Sequence, residues 1–302
     1  MSNLKKAISN PLSVFSHLAV RGWFHWIPDK LYIKVMYRSQ IKKRLDLDNP
    51  KTLDEKLQWL KLYDRQPRYT KMVDKYEAKR IAADILGDEH VIPTLGVWDH
   101  FDEINFDDLP DQFVLKCTHD SGGLVICREK ASFDFTAAKK KIEKSLKNNY
   151  YWAGREWPYK NLKPRIIAEE YKTDTVGSGG LTDFKFYCLH GVADCVLVCL
   201  DRGTGDAKFY FFGKDWKLKR YNKRGKEAPE GFTIPKPETM DQMFEAAEKL
   251  SANIPFVRID LYQSCGQFYF GELTFYPSSG YDPNRLLEAN LYFGSKIHLE
   301  KV

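Results

Sequence analysis

Several patterns that define other classes of protein are missing from this sequence. Six cysteines occur without a CxxC pair, and Cys195 and Cys199 have no matching Cys or His partners, so a zinc site is not expected. No run of about twenty apolar residues occurs, which argues against a membrane-spanning helix. The amino-terminal segment has neither the long apolar core nor the cleavage site of a signal peptide. Because most of the cysteines lie in apolar, strand-like runs, we expect a cytoplasmic protein with reduced thiols.

The chain has no strong charge of either sign. Lys and Arg number 47 against 41 acidic residues, a net charge of +6, and the basic residues are scattered among acids. Scattered charge argues against nucleic-acid binding. The mild basic excess is compatible with an anionic substrate, with an acidic membrane surface or with an ordinary basic surface. With 302 residues, 43% of them hydrophobic, the chain is long enough for two or three subdomains around a shared cleft.

Residues 1–50 mix aromatic and basic side chains. Trp23, Phe24 and Trp26 stand shortly before a basic stretch that ends in "KKR" at residues 42–44. This combination is typical of helices that lie at a membrane interface. It is also compatible with a helical arm that packs on the main body. The sequence therefore predicts either peripheral contact with an acidic membrane or internal packing of the arm.

Helical and strand-like segments are mixed along the rest of the chain, without internal repeats. Thr52 followed by Glu55 has capping-box spacing, and Gly87 ends the helical pattern after it. Strand patterns occur in "FVLKCTHDSGGLVIC", "DFKFYCLHGVADCVLVCL" and "AKFYFFGKDWKLK". The mixed order predicts an α+β fold and not a doubly wound parallel sheet. A later helix is expected to bury one apolar face, made of Met240, Phe244, Ala247 and Leu250.

The segment "VRIDLYQSCGQFYFGELTFYPSSG", residues 257–280, predicts a closing hairpin with acids in its strands. With the turn near "QSCG", Arg258 is expected to face Glu272, and Asp260 to lie diagonally from Glu272. Because side chains alternate between faces, these three residues share one face with Thr274. Two carboxylates at adjacent strand positions suit Mg²⁺ on a nucleotide phosphate, and the arginine suits a phosphate or an oxyanion. The alternative is a salt-bridged hairpin on the surface.

A lysine in an apolar strand precedes a glycine turn in "FVLKCTHDSGGLVI". Lys116 can act as a point charge on nucleotide phosphates. Backbone N–H groups of Gly122 and Gly123 can approach the same phosphates, and Ser121 adds a donor. The spacing is not that of a Walker A loop. A plain hairpin turn is the alternative.

Three further segments carry polar residues at predicted strand ends or on strand faces. "RIIAEEY" ends in Glu169 and Glu170, where the backbone can pair with an adenine edge and a carboxylate can reach the ribose hydroxyls. In "DFKFYCLHG", Asp183 and Lys185 lie on the polar face, and the lysine can contact a terminal phosphate. "TFYPSSG" ends in a small polar loop whose backbone N–H groups can bind a substrate carboxylate. Solvated strand faces and ordinary turns are the alternatives. The residues of this last loop are Ser278, Ser279 and Gly280.

The order of these segments resembles the ATP-grasp superfamily, and within it the TupA-like proteins of bacterial polysaccharide gene clusters. The likeness covers nearly the whole chain. It is carried by "LDLDNPKTLDEKLQWLKLYDR", "DKYEAK", "LKCTHDSGG", "DFKFYCLHG", "VRIDLY" and "GELTFYPSSG". The resemblance implies an ATP-grasp fold in which two α+β subdomains clasp ATP behind a helical amino-terminal extension. The implied parts are a basic arm (1–50), an amino-terminal subdomain (51–112), a central subdomain with the phosphate loop (113–172) and a carboxy-terminal subdomain with the metal hairpin (173–302).

The resemblance also implies roles for individual residues, with ATP and Mg²⁺ as cofactors. Lys185 would meet the γ-phosphate, and Arg258 would steady an acyl phosphate and its tetrahedral successor. Asp260 and Glu272 are similar to the two magnesium ligands. Thr274 stands where many such enzymes have Asn, and a hydroxyl is a weaker metal ligand than an amide oxygen. The remaining nucleotide residues would be Lys79 or Lys75, Lys116, Ser121, Gly122, Gly123, Glu169, Glu170, Tyr171 and Asp183.

The activity implied by the resemblance is ADP-forming ligation of a carboxylate to an amine. The polysaccharide context suggests a sugar acid, such as a uronic acid, joined to an amino acid or similar amine, or to a peptide. A rival hypothesis is a glycosyltransferase of the same pathway, which would also need a metal carboxylate, but no well-placed DxD motif occurs. A third is a non-catalytic scaffold that docks on a membrane through the arm.

Overall fold

Two antiparallel sheets, one of four strands and one of six, form the centre of the molecule. The computed structural model describes residues 22–173, 182–201 and 207–300, together with Phe15, Leu18 and Ala19. Helices pack against both sheets, so the α+β class predicted from the sequence is confirmed. Within these described residues no helix is long and apolar enough to cross a membrane.

From residue 22 onward, four α-helices precede the first strand. The second begins at the predicted capping box, in which the Thr52 hydroxyl accepts from the Glu55 N–H and the Glu55 carboxylate accepts from the Thr52 N–H. The fourth ends at Gly87, whose φ of +104° is one that residues other than glycine rarely adopt. These helices are α1 (Asp29–Ile41), α2 (Leu53–Tyr63), α3 (Arg68–Val73) and α4 (Lys75–Leu86).

The smaller sheet has the order β1-β4-β2-β3. Its strands are β1 (Thr94–Trp98), β2 (Phe113–Cys117), β3 (Leu124–Cys127) and β4 (Ile166–Glu170). One face packs under α5 (Phe135–Leu146), and buries Leu115 and Ala168 there. Val114 lies opposite Glu169 and Lys116 opposite Ile167, so Lys116 and Glu169 share the other face. The sheet takes strands from both sides of the predicted boundary at residue 112.

The larger sheet has the order β10-β9-β5-β6-β7-β8. Its apolar face packs against α8 (Met240–Leu250), in which the four predicted core residues are all buried. Phe184 and Phe186 point to that core, which leaves Asp183 and Lys185 on the opposite face. The strands are β5 (Thr182–Leu189), β6 (Val192–Leu200), β7 (Lys208–Gly213), β8 (Leu218–Lys219), β9 (Phe256–Ser264) and β10 (Gln267–Thr274). The other helices are α6 (Tyr151–Gly154), α7 (Lys223–Glu227) and α9 (Leu287–Lys296).

The described part of the arm packs on the main body. Tyr32, Ile33 and Met36 on α1 are buried in a small separate core. Arg155, from the loop after α6, donates to the backbone carbonyl of Phe24 and packs over the Tyr32 ring at 4.3 Å. Internal packing of the arm is therefore observed for these residues, and most of residues 1–21 lie outside the described part. The exposed aromatics of the arm are Trp23, at 68%, and Trp26, at 78%.

Candidate active site

The closing hairpin has a different register from the one predicted. Its turn is Cys265 and Gly266, both with positive φ, as in the tight two-residue turns that suit the twist of a hairpin. Beyond it, Glu272 lies opposite Asp260, and Thr274 lies opposite Arg258. The expected pairing of Arg258 with Glu272 was wrong, but the four residues do share one face.

A β-bulge at Gly271 is the reason for this register. Phe270 still pairs with Leu261, and Glu272 already pairs with Asp260, so Gly271 is an extra residue in β10. Without the bulge, Glu272 would lie opposite Ile259 and point into the core. A Cβ on Gly271 would come within 2.8 Å of the Asp260 carbonyl oxygen and 2.7 Å of the Tyr262 ring. Only glycine fits there without a shift of the hairpin.

The Asp260 carboxylate is buried between two cations. Arg258 donates to both of its oxygens, from Nε at 2.6 Å and from Nη2 at 2.7 Å. Lys185, directly opposite Asp260 in the sheet, donates from 2.5 Å and also contacts Asp183 at 2.6 Å. Burial alone would raise the pKa of Asp260, but Arg258 and Lys185 outweigh it, and the pKa lies below its ordinary value. A negative charge is therefore fixed on this face of the larger sheet.

Glu272 and Thr274 form the more open side of the same cluster. The Glu272 side chain is 38% exposed, lies 3.5 Å from Arg258 Nη2, and accepts from the Thr274 hydroxyl at 3.2 Å. Two hard carboxylates in register, one with a solvent-facing side, fit the way Mg²⁺ binds through one or two carboxylates plus phosphate oxygens and water. Among the described residues, no three His, Cys, Asp or Glu side chains form a metal cage by themselves.

A second cluster joins α4 to the smaller sheet. Glu169 receives Lys79 at 2.7 Å on one oxygen and Lys116 at 2.5 Å on the other. Burial would raise the pKa of Glu169, but the two lysines lower it to about 2. Lys75, the alternative first lysine of the sequence, instead donates to the backbone carbonyl of Asp120. The structure thus places Lys79, and not Lys75, beside Lys116.

Glu170 and Tyr171 point elsewhere. Because side chains alternate along β4, Glu170 lies on the opposite face from Glu169, and it pairs with Lys172 at 2.8 Å. The Tyr171 hydroxyl accepts from Arg128 at 3.2 Å. Neither side chain joins the cluster of Lys79, Lys116 and Glu169.

The glycine loop is anchored at its ends and exposed at its tip. Asp120 is buried and accepts from the Ser145 hydroxyl and from the Gly123 N–H, the latter at 3.0 Å. A Cβ on Gly123 would lie 2.4 Å from Ser145 Oγ, whereas one on Gly122 would meet nothing closer than 3.6 Å. Ser121 and Gly122 are exposed. Ser121 and Gly122 are therefore the loop residues that have room to move, as covering a phosphate would require.

Two tyrosines that the sequence did not single out connect the loop to the hairpin. Tyr150 lies near the Ser121 side chain, and its ring centroid lies 5.0 Å from that of Tyr159. The Glu272 carboxylate contributes to raising the pKa of both tyrosines, after the larger effects of Glu156 and burial. The two tyrosines therefore lie near enough to the Glu272 carboxylate to feel its charge.

A cleft of about 480 Å³ opens beside the carboxylate cluster. Lys185 and Arg258 line one side, and Ser278 lines the edge. Ser279 and Gly280, predicted with Ser278 as substrate residues, are turned away toward α2, where Gln58 donates to both of their carbonyl oxygens. Further lining residues are Tyr187, Phe209, Phe211, Lys223, Arg224, Glu227, Asp282 and Asn284.

Solved ligase structures are similar to this chain at low identity. D-alanine-D-alanine ligase from Helicobacter pylori is 14% identical with a TM-score of 0.44, over 82% of this chain and 70% of that one. L-amino acid ligase from Bacillus licheniformis is 12% identical with a TM-score of 0.43, over 84% and 57%. The ATP-grasp ligase PsnB, in complex with a precursor variant, Mg and ADP, is 13% identical with a TM-score of 0.40, over 73% and 57%. The chain spans little more than half of the last two. No curated protein matches it.

Two antiparallel sheets, each with buried lysine–carboxylate pairs, are compatible with the ATP-grasp ligases, which belong to the ADP-forming carboxylate–amine ligase superfamily. The chain belongs to one family of this class, because the model described as TupA-like ATPgrasp matches residues 55–298. The family and the fold predicted from the sequence are confirmed. Membership favours the ligase over the glycosyltransferase and over the non-catalytic scaffold.

Proposed function

We propose that the protein is an ATP-dependent ligase of bacterial surface polysaccharide biosynthesis, such as that of a capsule. It joins the carboxylate of a sugar acid, such as a uronic acid, to an amino acid or similar amine, and forms an amide. The observation that carries this proposal is the cluster of Arg258, Lys185, Asp260 and Glu272 on one face of the larger sheet, whose two cations also line the 480 Å³ cleft. A fixed pair of cations beside two carboxylates is what phosphoryl transfer to a carboxylate requires.

ATP is proposed to bind between the two sheets. Lys79 and Lys116 would contact its phosphates, and Glu169 holds both ammonium groups in place. The exposed tip at Ser121 and Gly122 would close over the phosphates. The resemblance also implied nucleotide contacts for Glu170, Tyr171 and Asp183, and we propose a smaller part in ATP binding for these three. Glu170 and Tyr171 face away from the lysines, and Asp183 orients Lys185.

Asp260 and Glu272 would hold Mg²⁺, with the Thr274 hydroxyl as a possible third oxygen ligand. When bound, the ion would neutralise charge on the transferring phosphoryl group. The half-exposed Glu272 is the side from which phosphate oxygens can complete the coordination.

The reaction proceeds in two displacements. A carboxylate oxygen of the sugar acid attacks the γ-phosphorus, the bond to the bridging oxygen of ADP breaks, and ADP leaves with the electron pair. The amine nitrogen then attacks the acyl carbon, the phosphate leaves, and the nitrogen loses a proton. Lys185 would contact the γ-phosphoryl oxygens, and Arg258 would face the oxyanion of the tetrahedral intermediate.

An anionic sugar substrate is supported by the lining of the cleft. Besides the two cations of the carboxylate cluster, Lys223, Arg224 and the aromatic residues Phe209 and Phe211 line the cleft. Basic groups attract a uronic acid, and ring faces pack against the apolar face of a sugar. We propose that the 278–280 loop contacts the substrate through Ser278, because Ser278 lines this cleft.

The direct test is ADP release from the purified protein with ATP, Mg²⁺, pooled uronic acids and pooled amino acids, followed by mass spectrometry of the product. We expect ADP formation that depends on both pools, and a product mass equal to the sum of one member of each less one water. Protein with ATP and Mg²⁺ alone is the control. ADP release that no carboxylate and amine pair increases, from protein that binds ATP, would contradict the proposed substrates.

We also propose that the enzyme works at the cytoplasmic face of an acidic membrane, on which the arm lies. Trp23 and Trp26 are exposed although both are large and apolar. The basic side chains of Lys30, Lys34 and Lys42, which follow along α1 and at its end, are also exposed. Exposed indole rings beside lysines match an anionic lipid surface, since the rings enter the interface and the lysines meet headgroup charge.

Sedimentation with vesicles tests this contact. The protein should sediment with vesicles that contain phosphatidylglycerol and remain in solution with pure phosphatidylcholine. Changing Trp23 and Trp26 together to Ser should release it, whereas Leu287→Ser, at an exposed leucine on α9, should not. Sedimentation that the tryptophan changes leave intact would refute an arm-mediated contact. If the protein oligomerises and sediments with neither kind of vesicle, the exposed tryptophans would instead contact a second copy of this chain.

A further inference from the structure

A lysine is buried behind the substrate loop. Lys61 on α2 is 0% exposed, and its ammonium donates to three oxygens. They are Gln58 Oε1 at 3.0 Å, the Gly154 carbonyl at 2.8 Å and the Ser279 carbonyl at 2.8 Å. An ammonium group has three N–H donors, so all of them are used. The Tyr281 ring face lies 4.9 Å away. Because every donor of this buried ammonium group is engaged, the three acceptor groups are held in fixed positions.

Glu156 is the buried anion of the same cluster. It is 3% exposed and accepts a hydrogen bond from the Ser279 hydroxyl. Ser279 therefore connects the two charges, since its carbonyl accepts from Lys61 and its hydroxyl donates to Glu156. Removal of one member would leave the other charge buried without compensation, which is costly. The cluster joins α2, the 154–156 segment and the loop after β10.

The loop held by this cluster has an unusual backbone. Ser278, Ser279 and Gly280 have φ values of 52°, 53° and 67°, so three successive residues are left-handed. This conformation is strained for a residue with a side chain, and it persists only where its surroundings enforce it. The surroundings pack tightly against this loop. A Cβ added to Gly280 would lie 2.4 Å from Gln58 Nε2, and one added to Gly154 would lie 2.3 Å from Ser279 Oγ.

The strained turn determines which residue faces the cleft. Ser279 points inward to the buried charges, and Ser278 is exposed at the edge of the cleft that Lys185 and Arg258 line. We propose that Lys61 and Glu156 are positioning residues, which hold the 278–280 loop left-handed so that Ser278 is presented to the substrate. The identity of the substrate rests on the proposed ligase function, but the holding of the loop does not.

Hydrogen exchange of the loop is the primary test. Lys61→Met keeps the length of the side chain and removes the ammonium. The amides of Ser279 and Tyr281, which donate to Tyr276 and Ser278 carbonyls, should then exchange at least about tenfold faster. Exchange in β5 should not change. Lys56→Met is the matched control, because Lys56 lies on the same helix and donates to a carbonyl far from the loop, that of Ile297. Unchanged loop exchange in folded Lys61→Met would overturn the proposal.

Two further measurements cover a Lys61→Met protein that does not fold. Ser279→Ala keeps both charges but removes the hydroxyl bridge, and its loop amides should exchange faster than those of the unmodified protein. In the unmodified protein, burial lowers the pKa of Lys61 to about 8, against the effect of Glu156. Opening that returns Lys61 to water would restore its ordinary pKa, so the open state binds more protons and the protection factor of the loop should rise as pH rises through that value. The rings of Tyr276 and Tyr281 do not titrate there, because burial raises the pKa of each well above its ordinary value. A constant protection factor would also overturn the proposal.

Kinetics separate positioning from simple structural support. With a uronic acid and amine pair that the protein turns over, Lys61→Met and Ser279→Ala should raise KM for the carboxylate and leave KM for ATP unchanged. Equal effects on both KM values would assign the cluster to general stability. If the protein turns over no such pair, the proposed substrates fail, while the exchange experiment still decides whether Lys61 holds the loop.

Discussion

Glu272 lies directly opposite Asp260 across the closing hairpin, although the turn alone would pair it with Ile259. The single extra residue at the bulge moves the Glu272 carboxylate from the core face to the face of the site. The pairing of the two acids is thus a consequence of backbone geometry, and it can be disturbed without touching either carboxylate.

Substitution of the bulge residue is the first prediction. In Gly271→Ala the new Cβ would meet the Asp260 carbonyl and the Tyr262 ring, so the hairpin must shift. We expect a loss of about 1–3 kcal/mol of stability and a large loss of ADP formation. Gly266→Ala in the turn of the same hairpin is the control: its φ is +76°, but nothing lies within 4 Å. It should cost stability through strain and keep activity. Full activity in Gly271→Ala would show that the bulge does not position Glu272.

Acid stability is the second prediction. The pKa of Glu169 is held at about 2, below its ordinary value of 4.5, because Lys116 and Lys79 outweigh its burial. A depressed carboxylate pKa contributes stability that is present above the unfolded pKa and is lost as pH falls through the folded one. Urea titrations should show wild-type stability decreasing from pH 4.5 toward pH 2. Glu169→Gln should flatten this decrease. Glu170→Gln, at the half-exposed end of the same strand, should follow the wild type, and identical curves for all three proteins would contradict the lysine clamp.

The two loop glycines should respond differently. A Cβ in Gly122→Ala meets nothing closer than 3.6 Å and should leave the melting temperature nearly unchanged, whereas Gly123→Ala would press on Ser145 and Cys117 and should destabilise by about 1–3 kcal/mol. In the unmodified protein, ATP with Mg²⁺ should slow proteolysis at the Ser121–Gly122 bond, as expected of a phosphate lid. Equal cleavage rates with and without nucleotide would count against a lid. Equal stability of the two variants would show that Gly123 is not packed as described.

Much of the fold could be predicted from the sequence because the signals are local. The capping box at Thr52 and the apolar face of α8 are set by residues three or four apart. The shared face of Arg258 and Asp260 follows from strand alternation. The register did not follow, because the bulge depends on a contact between Gly271 and the neighbouring strand.

Other parts of the site depend on tertiary contacts that no local pattern records. Lys75 and Lys79 lie one turn apart on α4, and only the position of β4 decides that Lys79 meets Glu169. Lys61 occurs in an amphipathic helix, where a lysine is ordinarily exposed. It is buried because the substrate loop folds back onto α2 and brings the Ser279 carbonyl to it.

The two hairpin carboxylates give the last prediction, in which activity and stability separate. Glu272→Gln should abolish ADP formation and change the melting temperature of the nucleotide-free protein little. The Glu272 side chain is 38% exposed, and its ion pair with Arg258, at 3.5 Å, is longer than the contacts of Asp260 and therefore contributes little stability. Asp260→Asn should abolish ADP formation and also cost on the order of 3–5 kcal/mol, since it leaves the buried cations of Arg258 and Lys185 without their common anion.

The double variant decides whether the two acids act as a unit. If they serve one bound Mg²⁺, the Asp260→Asn, Glu272→Gln protein should lose scarcely more activity than either single variant, because residues that act together are not additive. Its stability should equal that of Asp260→Asn alone. ADP formation and melting temperature of the three proteins provide the measurement. Near-normal turnover in either single variant would make the hairpin an ordinary ion-pair network, and would remove the main support for the proposed reaction.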